Sequence, residues 1–187
     1  MENEGLMNKK LKSIAIIPAR SNSKRIPDKN IKLFLGKPII AYVIETALKS
    51  GIFDDVIVST DSLQIADIAK KYGASVPFLR SEKNADDYAT TSEVLLEVVK
   101  KLNENQVDVK SVCCIYPTAV LINESHLKKA WHQFENSGFD SVISASRFSY
   151  PIQRCFKDCN GKLEMLWPEN KTKRSQDLDI LQYSHGN

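Results

Sequence analysis

Short apolar runs alternate with amphipathic segments along most of the chain. The apolar runs predict buried strands at residues 14–17, 55–60, 76–79, 111–116 and 141–145. Between them, apolar positions at helical spacing predict helices at about residues 38–50, 61–73, 90–102 and 123–137. Because strands and helices alternate in this way, the pattern predicts an α/β fold with a doubly wound, mostly parallel sheet.

Residues typical of helix ends support these boundaries. Gly51, Gly73 and Gly138 each end a predicted helix shortly before a strand, a position where glycine adopts the left-handed conformation at low cost. Thr90, followed by Glu93, has the form of a capping box. Asp61, followed by Gln64, is interpreted as the N-cap of the second helix rather than as a functional residue.

The pattern changes after Tyr150. Asn160-Gly161 lies between two short segments, at residues 155–157 and 163–165, and predicts a hairpin. We therefore divide the chain into a polar lead-in at residues 1–12, expected to be disordered, an α/β domain at 13–149 and a small C-terminal arm at 150–187. The expected role of the arm is to contact a second subunit in a homodimer.

The composition is that of one soluble globular domain. The chain has 187 residues, of which 42% are hydrophobic and 26% charged, with a formal charge of +3 and a pI near 8.6. So small a charge, with no long run of Lys or Arg, argues against a nucleic-acid partner. No apolar run approaches the length of a membrane span, and residues 1–11 lack the apolar segment of a signal peptide. We expect a cytoplasmic protein with no membrane partner.

The four cysteines do not indicate a strong metal site. Cys113 and Cys114 lie in a predicted strand and are interpreted as small buried hydrophobic residues. Cys155 and Cys159 have C-x-x-x-C spacing, but no histidine lies near them in sequence. A zinc site is the weaker interpretation, and a cytoplasmic location argues against disulfides.

A cationic loop follows the first predicted strand. It places Arg20, Lys24, Arg25 and Lys29 among small polar residues. Ligands of open α/β sheets bind at the carboxyl ends of the strands, so this loop predicts an anion site, with polyphosphate the obvious anion. No glycine lies between Gly5 and Gly36, which excludes both the P-loop and the dinucleotide-binding motif. On charge alone, a solvated surface loop is an equally good interpretation.

The amino-acid sequence of the end of this strand and the loop is IIPARSNSKRIPDKNI. It resembles the N-terminal signature of the CMP-sialic acid synthetase family, [IL]-x-A-R-x-x-S-K-x-[IL]-P-x-K-N. The matching residues are Ala19, Arg20, Ser23, Lys24, Ile26, Pro27, Lys29 and Asn30. The resemblance implies a fold of the nucleotide-diphospho-sugar transferase type. It also implies a CTP site that includes Ala19, Arg20, Ser23, Lys24 and Asn30.

Two further segments resemble this family near the nucleotide. The string that ends in Thr60-Asp61 is similar to its V-S-T-D element. Residues 80–91 are similar to its R-x-x-x-L-x-x-D-x-x-x-[ST] segment, which implies nucleotide contacts for Arg80 and Thr91, although Asn84 stands in place of the leucine. Without the resemblance, residues 80–91 would be a solvated loop with a good helix cap.

Tyr116-Pro117-Thr118 resembles the family's L-[QY]-P-T-[SA]-P element. Its tyrosine, together with the strings YPIQR at 150–154 and RSQDL at 174–178, is closer to the branch that activates pseudaminic acid, although Val120 replaces that branch's usual proline. This implies a sugar site formed by Tyr116, Thr118, Gln153 and Arg174.

The resemblance implies the reaction of CTP with an acidic nine-carbon sugar to give a CMP-sugar and pyrophosphate. Arg20 and Lys29 are then the catalytic cations, and Mg²⁺ is the expected cofactor. The family's magnesium carboxylates belong to a C-terminal D-x-D segment, whereas this chain ends shortly after RSQDL. We therefore expect no metal ligand within this chain, the last part of a family member to be absent, and weak CTP binding with poor turnover.

Other interpretations remain open at this point. The substrate could be N-acetylneuraminate or legionaminate, or the chain could be a nucleotide-binding module without catalysis. A nucleic-acid-binding domain is a distant third, because the cations are confined to one loop and no aromatic residues accompany them.

Overall fold

The computed structural model describes residues 12–21, 23, 26–86 and 88–184. The predicted lead-in lies outside the described residues except for Lys12, which begins the first strand. Contacts divide the chain into two units, the first ending at Gly138 and the second beginning at Phe139, whereas the sequence analysis placed the boundary between residues 149 and 150. The two units are described separately.

A three-stranded parallel sheet organises the first unit, in the order β4-β1-β5. Strand β1 lies in the centre, with Pro18 opposite Ser59 of β4 and Ile16 opposite Cys114 of β5. The elements of the first unit are β1 (Lys12–Pro18), β2 (Leu33–Phe34), β3 (Lys37–Pro38), α1 (Ile39–Ser50), β4 (Asp55–Ser59), α2 (Leu63–Lys71), α3 (Glu82–Ala85), α4 (Thr91–Glu104), β5 (Val109–Cys114) and α5 (Glu124–Ser137).

Helices cover both faces of this sheet. Alternate residues of β1 point to opposite faces, so Ala15 and Ile17 pack with α1, α2 and α5, and Ile14 and Ile16 pack with Val98 and other residues of α4. Because both faces of β1 are buried, the strand is a continuous apolar run rather than an alternating one. The predicted doubly wound α/β class is confirmed.

Most predicted helix ends agree with the structure. Thr90 and Glu93 form the predicted capping box of α4. Gly51 and Gly138 are C-caps in the left-handed conformation, with φ of 69° and 68°. Both predicted ends of α2 differ. Its N-cap is Ser62 rather than Asp61, and the Ser62 side chain accepts a hydrogen bond from the Ile65 N–H; its C-cap is Tyr72 rather than Gly73.

Two predicted strands are wrong. Residues 76–79 form no strand, and only Ser75 makes an isolated bridge, to Ile57. Residues 141–144 lie outside any strand, and Ala145 instead begins a strand of the second unit. Both segments are apolar enough for a strand, but a strand also needs a pairing partner.

The second unit consists of two small antiparallel sheets and short 3-10 helices. Strands β6 (Ala145–Arg147) and β9 (Gln182–Ser184) pair with each other, and β7 (Phe156–Cys159) pairs with β8 (Lys162–Met165). The 3-10 helices are Ile152–Arg154, Pro168–Asn170 and Ser175–Asp177. Asn160 and Gly161 both have positive φ, as a two-residue hairpin turn requires, so the predicted hairpin is confirmed.

All four cysteines are free thiols. Burial raises the pKa of both Cys113 and Cys114 to about 11. Within the described ranges, no helix is both long and apolar enough to cross a membrane.

Candidate active site

A cavity of about 460 Å³ lies in the first unit. Most of the binding residues predicted for this unit line it. The lining residues are Pro18, Arg20, Ser23, Lys29, Asn30, Arg80, Ala89, Thr91, Val94, Tyr116, Pro117 and Thr118. Most of the predicted nucleotide residues and both predicted sugar residues of this unit are therefore brought to one place, although they come from segments far apart in the chain.

The parallel sheet explains this convergence. Strands β1, β4 and β5 all end at the same edge, because parallel strands share a direction. Main-chain hydrogen bonds continue past the strand ends, from Ala19 N to Ser59 O at 2.9 Å and from Ile115 N to Ile16 O at 3.0 Å. The loops that carry the lining residues thus leave from adjacent, rigidly held positions.

The cavity is cationic. Arg20, Lys29 and Arg80 line it, and its lining residues, among those the structure describes, include no Asp or Glu. Arg20 Nη1 donates to the main-chain oxygen of Asp86 at 2.9 Å. The arrangement concentrates positive charge in one concave surface, which suits a polyanion such as a triphosphate.

Arg80 is the most buried of these cations, at 8% exposure. Its Nε and Nη2 donate to the hydroxyl and main-chain oxygens of Ser59 at the end of β4. Burial lowers the pKa of the guanidinium, and the negative charges of Asp61 and Glu97 oppose this effect. A guanidinium held by two uncharged oxygens keeps its positive charge available to an anion.

Asn30 forms a hydrogen bond between the two ends of the cationic loop. Its Nδ2 donates to the main-chain oxygen of Arg20 at 2.9 Å. The side chain is buried, and its Oδ1 accepts no hydrogen bond from any described residue. A buried amide oxygen without a donor is costly, and because Asn30 lines the cavity, a hydroxyl or amino group of a ligand can supply that donor.

The N-terminus of α4 also borders the cavity. Thr91 is the first residue of this helix, and its Oγ1 lies 3.2 Å from the hydroxyl of Tyr116. The N-terminus of a helix carries a partial positive charge, which adds to the attraction of an anion. The pair also links the predicted nucleotide side of the cavity, at Thr91, to the predicted sugar side, at Tyr116.

Four predicted residues are not among the described residues that line the cavity. Ala19 belongs to the hydrophobic core, at 0% exposure, and Lys24 lies outside the described residues. Gln153 and Arg174 belong to the second unit. Gln153 Nε2 donates to Asp179 O at 2.9 Å, and the Arg174 guanidinium makes a two-point contact with Asp177 at 2.7 and 3.0 Å.

Three acidic residues hold the loops of the site, although the sequence analysis assigned Asp61 to a helix cap and gave Asp86 and Glu97 no role. Asp61 accepts hydrogen bonds from Ser21. The main-chain oxygen of Asp86 accepts a hydrogen bond from Arg20. Its side chain accepts hydrogen bonds from the N–H groups of Tyr88 and Ala89. Glu97 accepts hydrogen bonds from Ser81, Asn84 and Lys101. The replacement of the family's leucine by Asn84 was the available signal for the last contact, because an amide there needs a partner.

No protein-held magnesium site is evident in the described part of the chain. The residues there form no group of three or more His, Cys, Asp or Glu side chains that could hold a metal ion. The cavity offers cations and hydroxyl groups, whereas Mg²⁺ prefers carboxylate oxygens. These donors therefore do not fit a magnesium ion bound by the protein alone.

The sequence of this chain is similar to a protein-family model and to proteins of known function. The sequence matches the cytidylyltransferase family model over residues 14–165. It is 44% identical over 177 residues to a pseudaminic acid cytidylyltransferase of Campylobacter jejuni, an alignment that covers 94% of this chain and 76% of that protein. It is 38% identical to a CMP-N,N'-diacetyllegionaminic acid synthase of Legionella pneumophila, covering 91% of this chain and 71% of that protein.

Two solved structures have folds similar to that of this chain. A CMP:2-keto-3-deoxy-manno-octonic acid synthetase complexed with CTP has a TM-score of 0.63 at 22% identity, covering 74% of this chain and 54% of that one. A 4-diphosphocytidyl-2C-methyl-D-erythritol synthase has a TM-score of 0.62 at 16% identity, covering 82% and 67%. At these identities the likeness establishes the fold.

Proposed function

Because the chain belongs to the cytidylyltransferase family, we propose that it transfers the cytidylyl group of CTP to an acidic nine-carbon sugar, pseudaminate, and releases pyrophosphate. The observation that carries this proposal is the cavity at the carboxyl edge of the sheet, where Arg20, Lys29 and Arg80 meet and no described lining residue is a carboxylate. Both substrates are anions, so a cationic cavity suits the reaction.

The proposed chemistry is a displacement at phosphorus. The anomeric oxygen of the sugar forms a bond to the α-phosphorus of CTP, the bond from that phosphorus to the bridging oxygen breaks, and pyrophosphate leaves with the electron pair. The hydroxyl proton of the sugar passes to solvent. Because negative charge grows on the leaving group, we propose that Arg20 and Lys29 stabilise it. Ala19, Ser23, Lys24, Asn30, Arg80 and Thr91 are the proposed CTP-binding residues.

Pseudaminate is the favoured sugar for two reasons. The relative at 44% identity is a pseudaminic acid cytidylyltransferase, and the legionaminic acid synthase is less similar, at 38%. Tyr116, whose hydroxyl contacts Thr91, is the tyrosine that the resemblance associates with this branch. We propose that Tyr116 and Thr118 contact the sugar, and Gln153 and Arg174 of the second unit stay predicted sugar-binding residues, of which Arg174 contacts Asp177. Legionaminate and N-acetylneuraminate are the alternative substrates.

We propose Mg²⁺ as the cofactor only as an ion that accompanies the triphosphate. The described residues supply no set of carboxylates that would hold it. A titration of pyrophosphate release against Mg²⁺, with EDTA as the control, tests this dependence. Equal rates with Mg²⁺ and with EDTA would contradict it.

We propose that the second unit contributes to a homodimer and that the protein acts in the cytoplasm, where CTP is available. Within residues 139–184, no hydrophobic side chain is buried, while Phe139, Ile143 and Phe156 are each more than half exposed. Exposed apolar surface of this extent is typical of a surface that another subunit covers. Light scattering of the purified chain tests this, and a monomer at micromolar concentration would contradict it.

The central experiment measures pyrophosphate release from CTP with pseudaminate, legionaminate and N-acetylneuraminate in parallel. We expect release with pseudaminate and its loss in R20A and K29A. The matched controls are R147A and K49A, which remove exposed cations that do not line the cavity. Release with another sugar alone would change the assigned substrate. CTP binding without release from any sugar would indicate a nucleotide-binding module without catalysis.

A further inference from the structure

The peptide group between Arg20 and Ser21 is held by side chains at both of its polar atoms. Its carbonyl oxygen accepts a hydrogen bond from Asn30 Nδ2 at 2.9 Å. Its N–H donates to Asp61 Oδ1 at 2.8 Å, and the Ser21 hydroxyl donates to Asp61 Oδ2 at 2.5 Å. A loop peptide usually leaves such atoms to water, whereas here two distant side chains fix the orientation of one peptide plane.

Asp61 is available for this contact because it does not cap α2. Ser62 performs that role, and both carboxylate oxygens of Asp61 are directed to Ser21. Asp61 also lies just beyond the end of β4, next to β1, where Pro18 pairs with Ser59. The carboxylate is therefore anchored on the rigid sheet, while its partner belongs to the loop.

The orientation of this peptide plane governs the direction of the Arg20 side chain. The torsion between Cα and the carbonyl carbon of Arg20 is set by where the plane lies. With the Ala19 N–H held to Ser59 O at 2.9 Å before Arg20 and this plane fixed after it, the Cα–Cβ bond of Arg20 has a set direction, and Arg20 lines the cavity. Displacement of a catalytic group by about 1 Å can reduce the rate by about 10²-fold.

We propose that Asp61 is a positioning residue for Arg20: it orients the Arg20–Ser21 peptide and thereby aims the guanidinium at the triphosphate. This inference rests on the proposed function, in which Arg20 meets CTP. Asp61 does not line the cavity, so its effect on the reaction is transmitted through the loop.

The test compares D61A and D61N with the unmutated chain for CTP affinity and pyrophosphate release. D61A removes both acceptors, and we expect kcat/KM to fall at least about tenfold, by misplacement of the cation. D61N keeps an oxygen that can accept from the Ser21 N–H, so we expect an intermediate value. D67A is the matched control, because Asp67 is an exposed aspartate on α2, and we expect it to equal the unmutated chain.

A double-mutant cycle separates positioning from general stabilisation. If Asp61 acts through Arg20, then adding D61A to R20A changes the dissociation constant for CTP by less than about twofold, because R20A has already removed the guanidinium that Asp61 positions. If D61A weakens CTP binding by the same factor with and without Arg20, the proposal is overturned.

An amide measurement in the absence of CTP distinguishes failure of this inference from failure of the proposed function. We expect hydrogen exchange of the Ser21 amide to be slow in the unmutated chain and faster in D61A, and slow again in S21A, which keeps the main-chain contact. Equal exchange in the unmutated chain and D61A overturns the inference. If the Ser21 amide exchanges slowly but the unmutated chain binds no CTP, the proposed function and the role of Asp61 in it are overturned. The hydrogen bond between Asp61 and the peptide would still be supported. If D61A does not fold, D61N replaces it in each comparison.

Discussion

The replacement of Glu97 by Gln is the change whose effect follows most directly from the structure. The Glu97 carboxylate accepts hydrogen bonds from Ser81 N at 2.9 Å, Ser81 Oγ at 3.1 Å, Asn84 Nδ2 at 2.6 Å and Lys101 Nζ at 2.6 Å. Its side chain is only 10% exposed. Four donors converge on one carboxylate, which attaches the segment after Arg80 to α4.

The magnitude follows from the pKa of Glu97. Burial raises this pKa, but the hydrogen bonds from Lys101, Asn84 and Ser81 outweigh burial and lower it from 4.5 to about 2. At about 1.4 kcal/mol per pKa unit, the difference sets an upper bound of about 3 kcal/mol on the stabilisation by the ionised group. Nearby water screens a carboxylate close to the surface, so we expect E97Q to lose about 1 to 2 kcal/mol of unfolding free energy.

The direction of the Glu97 pKa shift determines how its stabilisation of the fold changes with pH. The pKa of Glu97 is lower in the folded chain than its ordinary value of 4.5, so its stabilisation is fully present above that pH and declines as the pH falls towards about 2. Urea denaturation of the unmutated chain and E97Q should therefore differ most near neutral pH and converge in acid. E104Q, at an exposed position of the same helix, is the control.

Two results would refute this reasoning. One is an E97Q variant as stable as the unmutated chain at neutral pH. The other is a difference in stability that stays constant from neutral pH to about pH 3, which would show that the ionised form contributes nothing. Because Glu97 holds the main-chain N–H of Ser81, the residue after Arg80, we expect E97Q also to weaken CTP binding, whereas E104Q should not.

Three further predictions concern other parts of the chain. We expect R80K to lose about 1 to 3 kcal/mol of unfolding free energy, because one ammonium cannot replace both guanidinium contacts with Ser59; denaturation showing equal stability would contradict this. Iodoacetamide at mildly alkaline pH should modify exposed Cys155 before Cys113 and Cys114, whose pKa values burial raises to about 11; mass spectrometry of the labelled chain tests this, and equal labelling would refute it. Gly138→Ala should cost about 1 kcal/mol through backbone strain alone, because φ is +68° and a Cβ there meets no atom within 4 Å; an unchanged melting temperature would contradict that cause.

The sequence predicted those helix ends and strands whose formation depends on residues close together in the chain. The capping box of Thr90 and Glu93 and the glycine at position 51 act within one helical turn, so their effect is visible in the sequence. The apolar run at 14–17 is equally direct, because a strand buried on both faces must be apolar throughout. These features predicted the central strand and most helix ends.

The errors arose where the outcome depends on a distant partner. Residues 76–79 are apolar enough for a strand, but only Ser75 pairs with the sheet, at Ile57. Ala145 was predicted to end a strand of the parallel sheet, whereas it begins β6, which pairs with β9 at residues 182–184. Hydrophobic pattern indicates that a segment can be a strand, but it does not indicate which other segment supplies the hydrogen bonds.

The same distinction explains which residues of the candidate site were predicted. Arg20 and Lys29 stand out locally because cations cluster after a strand. Asp61 and Glu97 look like an ordinary cap residue and a helix-surface residue until the fold brings them to Ser21 and to Ser81. Neither carboxylate lines the cavity. Because these acids bind the backbone of the two loops rather than the cavity, the loops are held in place while the cavity keeps its positive charge. This arrangement is what an anionic substrate requires of a site built from loops.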